Sequence, residues 1–156
     1  VFWLSLPVVA LPEMSAEEIQ SDPPFARRPR VLIVDDMETN RFLLQVFLRR
    51  HGFEPEIAKG GDEAVRLAAA NPYDAILMDL QMPEVDGYTA ARRIRAAELP
   101  GQHTPIIALT ASIAKGTREK CLAAGMDEYL AKPLDLDKFK KVLRSHISAK
   151  NAASST

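Results

Sequence analysis

Short apolar runs alternate regularly with longer segments of helical periodicity from residue 30 onward. Five runs have the length and composition of β-strands, at residues 30–34, 54–58, 75–78, 105–109 and 126–130. Helical spacing of apolar residues occurs near 37–51, 62–70, 87–98, 112–124 and 135–148. Because strands that alternate with helices are joined by crossover connections, the sequence predicts an α/β fold with a parallel sheet and helices on both faces.

Polar residues follow four of the five predicted strands. Asp35 and Asp36 come after the first strand, and Asp79 comes after the third. Thr110 follows the fourth strand and Lys132 the fifth. Ligands of open α/β sheets bind at the carboxyl ends of the strands, where parallel strands bring their last residues to one edge. We therefore expect these five side chains to meet in one site.

The three acidic residues have both a structural and a chemical interpretation. An Asp after a strand is often a helix N-cap; Asp86 before Gly87 is predicted to be only that, and Asp35 alone could be one. Clustered carboxylates, however, repel one another and raise each other's pKa unless a cation joins them. Oxygen ligands of this kind suit Mg²⁺, which takes few carboxylates and keeps several waters. The cluster therefore predicts a Mg²⁺ site.

The interpretation of Thr110 and Lys132 depends on whether such a site lies beside them. Taken singly, the hydroxyl could start a helix and the ammonium could be an ordinary solvated charge. Beside a carboxylate and Mg²⁺, they become a donor and a cation directed at the oxygens of a transferred phosphoryl group. The combination favours phosphoryl transfer.

Charge and cysteine content narrow the possible partners and compartment. The chain has 156 residues and a formal net charge of −1, which gives no reason to expect binding to nucleic acid or to an anionic membrane, since either would favour a basic surface. The single cysteine, Cys121, cannot form an internal disulfide and is predicted to be a packing residue. Such cysteine usage is typical of a cytoplasmic protein.

The two ends of the chain differ from its centre. Residues 1–12 are apolar but are interrupted by Pro7 and are too short to span a bilayer, which takes about 20 residues. Residues 13–29 are rich in proline and acidic residues and are predicted to be a linker. The globular domain is expected at 30–149, followed by a polar tail at 150–156.

Within 30–149 the sequence resembles the receiver domain of two-component response regulators. Four ordered motifs carry the resemblance: Val31-Leu32-Ile33-Val34-Asp35-Asp36, Ile76-Leu77-Met78-Asp79-Leu80-Gln81-Met82-Pro83 with Asp86-Gly87, Ala108-Leu109-Thr110-Ala111, and Tyr129-Leu130-Ala131-Lys132-Pro133. The resemblance implies a flavodoxin-like (βα)5 doubly wound fold, with a five-stranded parallel sheet of order 2-1-3-4-5.

The resemblance also implies a ligand set. Asp79 would be the phosphoacceptor, which takes a phosphoryl group from phosphohistidine. Asp36 would bind Mg²⁺ directly, Asp35 would bind it mainly through water, and Asp79 would supply another oxygen. The backbone carbonyl of Gln81 would complete the protein ligands. The domain would thereby catalyse its own phosphorylation and dephosphorylation.

Further roles are implied around the phosphoryl group. Thr110 and Lys132 would contact its oxygens. Thr110 would also move toward it and allow Tyr129 to turn inward, although Tyr129 could instead be an aromatic residue that only covers the last strand. Pro133 is expected to follow a cis peptide bond, which would direct Lys132 back to the site.

The first predicted helix carries a candidate docking surface. Phe42 and Val46 lie one turn apart beside the predicted core stripe, and exposed apolar pairs are common without any function. Receivers nevertheless dock there against the dimerisation bundle of a histidine kinase or against a histidine phosphotransfer protein. The predicted core stripe of this helix consists of Leu43, Leu44, Phe47 and Leu48.

The parent protein is expected to be a hybrid sensor histidine kinase with a C-terminal receiver. The segment Phe2-Trp3-Leu4-Ser5-Leu6-Pro7 resembles the last strand of a histidine kinase ATP-binding domain, so residues 1–12 would be its remnant. The parent could be anchored in the inner membrane, whereas the receiver itself is not expected to insert.

Other functions would use the same residues. A haloacid-dehalogenase-type phosphohydrolase should have Asp-x-Asp after the first strand, but Met37 stands two positions after Asp35. A flavin-binding flavodoxin needs a Ser/Thr/Gly phosphate loop there, and the acidic residues would repel a phosphate. A phosphorylation-independent protein docking domain stays open as an alternative.

Overall fold

The predicted alternation forms a single parallel sheet in a computed structural model that describes residues 28–111 and 114–154 of the chain. The strands are β1 (Arg30–Val34), β2 (Glu54–Ala58), β3 (Ala75–Asp79), β4 (Ile106–Thr110) and β5 (Glu128–Ala131). The helices are α1 (Glu38–Arg50), α2 (Gly61–Ala70), α3 (Gly87–Ala97), α4 (Thr117–Ala123) and α5 (Leu136–Ser154). The strand order is β2-β1-β3-β4-β5, all parallel, which confirms the predicted fold class.

Some predicted element boundaries were wrong. The fourth helix begins at Thr117 rather than at 112, because Gly116 has a left-handed φ of 90° and Ala114 forms a turn with Thr117. Strand β5 begins two residues late, because the backbone N–H of Met126 still closes the end of α4 on Cys121. Helix α5 continues into the predicted tail, where the sequence has no Gly or Pro to stop it. The predicted remnant at 1–12 and most of the predicted linker lie outside the described residues.

The sheet separates two apolar layers that alternate along each strand. On β1, Val31 and Ile33 face α1 and α5, whereas Leu32 and Val34 face α2, α3 and α4. The α1–α5 layer contains Phe53 together with other large apolar side chains, among them Leu44, Leu48, Leu77, Ile107, Leu109, Leu130, Phe139, Leu143 and Ile147. About half of the buried residues of the opposite layer are alanine or methionine, namely Ala58, Ala64, Ala90, Ala91, Ala108, Ala124, Met78, Met82 and Met126, and most of the others are branched aliphatic residues.

The buried face of α1 differs from the predicted stripe. Arg41, Leu44 and Leu48 are buried at i, i+3 and i+7, while Leu43 is 60% exposed. The prediction was wrong for Leu43 because a charged residue, Arg41, occupies the inward line, and Leu43 is rotated from it toward the surface. Cys121 is buried as predicted. Within the described part of the chain, the helices are too short or too polar to cross a bilayer.

Candidate functional site

Four strand ends meet at one edge of the sheet. Val34 pairs with Met78 across β1 and β3, and the following residues on these strands carry the acidic groups. Thr110 at the end of β4 pairs with Ala131, the residue before Lys132. The backbone N–H of Lys132 donates to the carbonyl of Thr110 at 2.7 Å, which continues the strand pairing one residue further. The parallel register therefore brings together the polar residues that follow the predicted strands.

Three carboxylates form a compact cluster at this edge. Each of Asp35, Asp36 and Asp79 offers a carboxylate oxygen, and these oxygens lie within 4.8 Å of one another. Asp35 and Asp79 are buried, whereas Asp36 is exposed to solvent. An all-oxygen donor set with one side open to water has the chemistry that Mg²⁺ requires, because this ion retains several waters. The residues present thus fit a hard divalent cation.

Asp35 is held by contacts on every polar atom of its side chain. Its Oδ1 accepts from the backbone N–H of Met37 at 2.8 Å, and its Oδ2 accepts from Asn40 Nδ2 at 3.1 Å. Lys132 Nζ lies 3.4 Å from the same Oδ2. The helix cap is a different residue, since α1 has Met37 at its N-cap position without a side-chain cap bond. The capping interpretation of Asp35 is therefore wrong.

Asp79 lies in an unfavourable electrostatic environment. Burial raises the pKa of its carboxyl above the ordinary value, and the charges of Asp35 and Asp36 raise it further. The backbone N–H of Gln81, which donates to Asp79 Oδ1 at 3.2 Å, and the ammonium of Lys132 at 3.7 Å from Oδ1 act in the opposite direction. A positive charge added beside this carboxylate would stabilise its ionised form.

Lys132 and its neighbours complete the edge. Its ammonium contacts both buried carboxylates, and its peptide bond to Pro133 is cis, in agreement with the expectation for Pro133. Thr110 is buried at the end of β4. Tyr129 is partly buried and packs against the layer formed by α2, α3 and α4. These positions allow Lys132 to act at the acidic cluster while Tyr129 belongs to the helical layer beside it.

Gly87 is a positioning residue to which the sequence motifs assigned no role. A Cβ atom at this position would lie 2.4 Å from the carbonyl oxygen of Asp79 and 2.9 Å from Leu80 Cα. Asp86, one residue earlier, is the N-cap of α3, as predicted, because its side chain accepts from the backbone N–H of Thr89 at 2.8 Å. The start of α3 thus packs directly on the backbone that carries Asp79. The Asp-Gly pair, seven and eight residues after Asp79, was the available signal.

An apolar groove opens next to the acidic cluster. It encloses about 390 Å³ between α1 and the segment that follows β5. Asp35 and Lys132 lie at its polar end. Leu43 and Leu136 line it and are 60% and 50% exposed, and Phe42 on the neighbouring face of α1 is 61% exposed. Val46 is only partly exposed. The exposed apolar surface of α1 is therefore larger than the predicted pair of residues.

Comparisons with known proteins agree on one family. The sequence model of the response regulator receiver domain matches residues 31–144. Sensor protein GacS of Pseudomonas syringae pv. syringae is 43% identical over 115 residues, which cover 72% of this chain and 13% of GacS. The curated relatives are much longer proteins, and the chain spans less than a fifth of the length of each of the first three.

Solved structures give the same result. The receiver domain of sensor histidine kinase PA1611 from Pseudomonas aeruginosa, which has a magnesium ion coordinated in its active site cleft, is 42% identical with a TM-score of 0.71. The match covers 78% of this chain and 98% of that one. A chain in the co-crystal of the Saccharomyces cerevisiae histidine phosphotransfer protein Ypd1 with the receiver domain of Ssk1 is 35% identical, with a TM-score of 0.67 and coverage of 75% and 87%.

Proposed function

This chain belongs to the response regulator receiver domain family, and on that premise we propose that it accepts a phosphoryl group on Asp79 in a Mg²⁺-dependent step of a phosphorelay. The observation that carries the proposal is the arrangement around Asp79. Its carboxylate lies within 4.8 Å of the carboxylates of Asp35 and Asp36 and 3.7 Å from the ammonium of Lys132. Phosphoryl transfer needs such positioning and charge neutralisation more than it needs covalent chemistry.

The acidic residues divide the work of holding the cation. Asp36, which is exposed, and Asp79 would bind Mg²⁺ directly, and the backbone carbonyl of Gln81 would add a third oxygen. Asp35, already bonded to Met37 and Asn40, would act mainly through water. When bound, Mg²⁺ supplies the positive charge that neutralises the carboxylates and the oxygens of the incoming phosphoryl group. Support comes from the magnesium ion in the receiver domain of PA1611.

The transfer is a single displacement reaction at phosphorus. A carboxylate oxygen of Asp79 attacks the phosphorus of a phosphohistidine, the P–O bond forms as the P–N bond breaks, and the leaving imidazole takes up a proton. Lys132 and Thr110 contact the phosphoryl oxygens of the product. The raised pKa of Asp79 is opposed by Lys132, which favours the ionised carboxylate that the attack requires.

An intact-mass experiment tests the proposed acceptor. The chain is incubated with Mg²⁺ and acetyl phosphate, and we expect one phosphoryl addition that disappears in Asp79→Asn. Asp62→Asn is the matched control, since Asp62 is an exposed acid on α2 that pairs with Arg93 away from the cluster. Modification that persists in Asp79→Asn would refute the assignment. Binding of Mg²⁺ without any modification would favour a phosphorylation-independent docking domain, which the comparisons do not favour.

A conformational change would follow phosphorylation. The phosphoryl group brings about −1.5 to −2 charges and strong acceptor oxygens. Thr110 would turn toward it, and Tyr129, which is partly buried beside the α2–α4 layer, would turn inward and alter the surface of α4 and α5. The Tyr129 ring resonances should therefore shift on phosphorylation in NMR spectra. An unchanged Tyr129 environment would exclude this switch.

The docking partner would be a helical bundle that carries the phosphohistidine. Either the dimerisation domain of a histidine kinase or a histidine phosphotransfer protein has this form, and the co-crystal with Ypd1 supports the second. Phe42 and Val46 of α1 would contact it, and Leu43 and Leu136 extend the apolar surface up to the acidic cluster. The phosphoryl donor would thus be bound next to Asp79.

Paired substitutions test this surface. Phe42→Ala and Leu43→Ala should each slow transfer from a phosphorylated histidine phosphotransfer protein but leave phosphorylation by acetyl phosphate unchanged, because the small donor needs no docking. Leu99→Ala is the matched control, since Leu99 is 70% exposed in the loop after α3. Equal transfer rates in all three variants would show that α1 is not the docking surface.

The parent protein is the remaining part of the proposal. We assign residues 30–149 to the receiver and 13–29 to a linker, and we propose a hybrid sensor histidine kinase as the parent, with this domain in the cytoplasm. Support comes from the 42% identity to hybrid signal transduction histidine kinase G of Dictyostelium discoideum. Sequencing upstream of Val1 tests it, since a phosphoacceptor histidine and ATP-binding motifs should be found there.

A further inference from the structure

A buried arginine lies directly beneath the acidic cluster. Arg41 is 7% exposed and is the one basic residue among the buried residues of the described chain. It lies on the inward face of α1, on the line occupied by Leu44 and Leu48. Its Nε is buried without a hydrogen-bond partner, which costs stability. An apolar side chain would suit this position better, so packing alone does not explain an arginine.

Within the described part of the chain, the side chain of Arg41 makes one hydrogen bond, which connects it to the proposed metal ligands. Its Nη1 donates to the main-chain carbonyl of Asp35 at 2.7 Å. That carbonyl belongs to the peptide group that joins Asp35 to Asp36, and it lies beyond the end of β1 at Val34. The N–H on the other side of Asp35 donates to Ala58 of β2. Arg41 therefore fixes the backbone just beyond the last residue that pairs with a neighbouring strand.

Asp36 depends most on this backbone contact. Asp35 is fixed through its side chain by Met37 and Asn40, but within the described part of the chain the carboxylate of Asp36 has no hydrogen bond of its own. The backbone conformation at the Asp35–Asp36 peptide decides where the Cβ of Asp36 lies, and therefore which positions its carboxylate can reach. We infer that Arg41 is a positioning residue, which fixes this peptide so that Asp36 points at the cation; the inference rests on the proposed function.

The charge of Arg41 and its hydrogen bond to Asp35 should have opposite effects on the affinity for Mg²⁺. A guanidinium close to the cluster repels a divalent cation, so its charge alone would weaken metal binding. The three carboxylates outnumber Arg41 and Lys132, however, and the site keeps a net negative charge. Loss of partners that orient metal ligands typically lowers metal affinity about 10–100-fold. Removal of Arg41 should therefore weaken Mg²⁺ binding, whereas a dominant charge effect would strengthen it.

Isothermal titration of the full chain with Mg²⁺ tests the inference without any phosphodonor. Arg41→Met keeps the apolar stem but removes the donor and the charge, and its Kd for Mg²⁺ should rise about 10–100-fold. Arg41→Lys keeps a donor and should lie between Arg41→Met and the wild type. Leu48→Met, on the same helix face, should keep the wild-type Kd for Mg²⁺, because it replaces one apolar core side chain by another of similar volume. Urea unfolding of the metal-free Arg41→Met variant should show a cooperative transition, so that a rise in Kd reflects the site and not loss of the native state.

The outcomes separate the inference from the proposed function. Unchanged or tighter Mg²⁺ binding in Arg41→Met would overturn the role of Arg41 and leave the receiver function intact. Absence of Mg²⁺ binding in the wild type would overturn the proposed function itself.

NMR of the wild type decides the question should Arg41→Met fail to fold. The guanidinium protons of Arg41 should exchange slowly and shift when Mg²⁺ is added, in contrast to those of Arg49, which is exposed on the same helix. Identical behaviour of the two arginines would overturn the inference.

Discussion

Substitution of Gly87 by alanine should displace the backbone that carries Asp79 without changing the carboxylate itself. The new Cβ would lie 2.4 Å from the Asp79 carbonyl oxygen, and the two atoms must separate by about 1 Å to reach an ordinary contact of 3.4 Å. Neither partner can yield by rotating a side chain, since both the contact and the helix start are backbone. Overpacking of this kind costs about 1–3 kcal/mol, and a 1 Å displacement of a catalytic group can cost about 100-fold in rate.

Single-turnover phosphorylation measures the effect. We expect Gly87→Ala to lower the rate of Asp79 phosphorylation by acetyl phosphate about 10–100-fold at saturating Mg²⁺. Two controls account for lost stability. Gly60→Ala has nothing within 4 Å of its new Cβ and should cost at most about 1 kcal/mol through the N-cap of α2. Ile147→Val, in the α1–α5 layer, should cost about 0.5–1.5 kcal/mol. Both should keep the wild-type rate.

A Gly87→Ala variant that is destabilised as expected but is phosphorylated at the rate of the two controls would refute the positioning role of Gly87. That result would mean that the loop between β3 and α3 absorbs the displacement while the Asp79 carboxylate stays in place.

Three further predictions concern the ionised site. The pKa of Asp79 is higher in the folded than in the unfolded protein, so the folded state binds the proton of this carboxyl more tightly, and stability is lost as pH rises from the ordinary pKa of 3.8 through the raised one. Metal-free Asp79→Asn should therefore be more stable than the wild type in urea at about pH 7. A difference in stability that persists below pH 3.8 would show that ionisation of Asp79 is not its cause. At a Mg²⁺ concentration 100 times Kd, the free energy of unfolding should rise by about 2.7 kcal/mol, and Asp36→Asn should abolish the rise in thermal melts. Lys132→Met should still fold but should lose phosphorylation, since two carboxylates lose their shared cation; a wild-type rate would exclude a role for the ammonium.

The fold and the composition of the site could be predicted because both depend on local order in the sequence. A short, continuous apolar run identifies β1, and the ends of four of the five strands are marked by the polar residues that follow them. Parallel pairing then decides which polar residues meet. The start of α4 could not be predicted, because a helical pattern extends across Gly116, whose left-handed φ of 90° places the true boundary at Thr117.

Arg41 and Leu43 show a different limit. A helical pattern assigns apolar residues to the core and charged residues to the surface, and here the two exchanged places. The exchange depends on a carbonyl from another element, Asp35, which no spacing within α1 reveals. Gly87 was missed for the same reason, since its contact with Asp79 is a tertiary approach rather than a property of a turn.

The two layers on either side of the sheet should differ in stiffness. Phenylalanine and branched aliphatic side chains have few rotamers and fill the α1–α5 layer, so displacement there meets immediate steric resistance. The opposite layer also contains branched aliphatic residues, but it holds three methionines and six alanines, and methionine changes its conformation at little cost. Tyr129 packs on this compliant layer, whereas the groove beside α1 borders the rigid one. On the proposed function, one face of the sheet would provide the firmer surface for docking and the other the more adaptable surface for the Tyr129 switch.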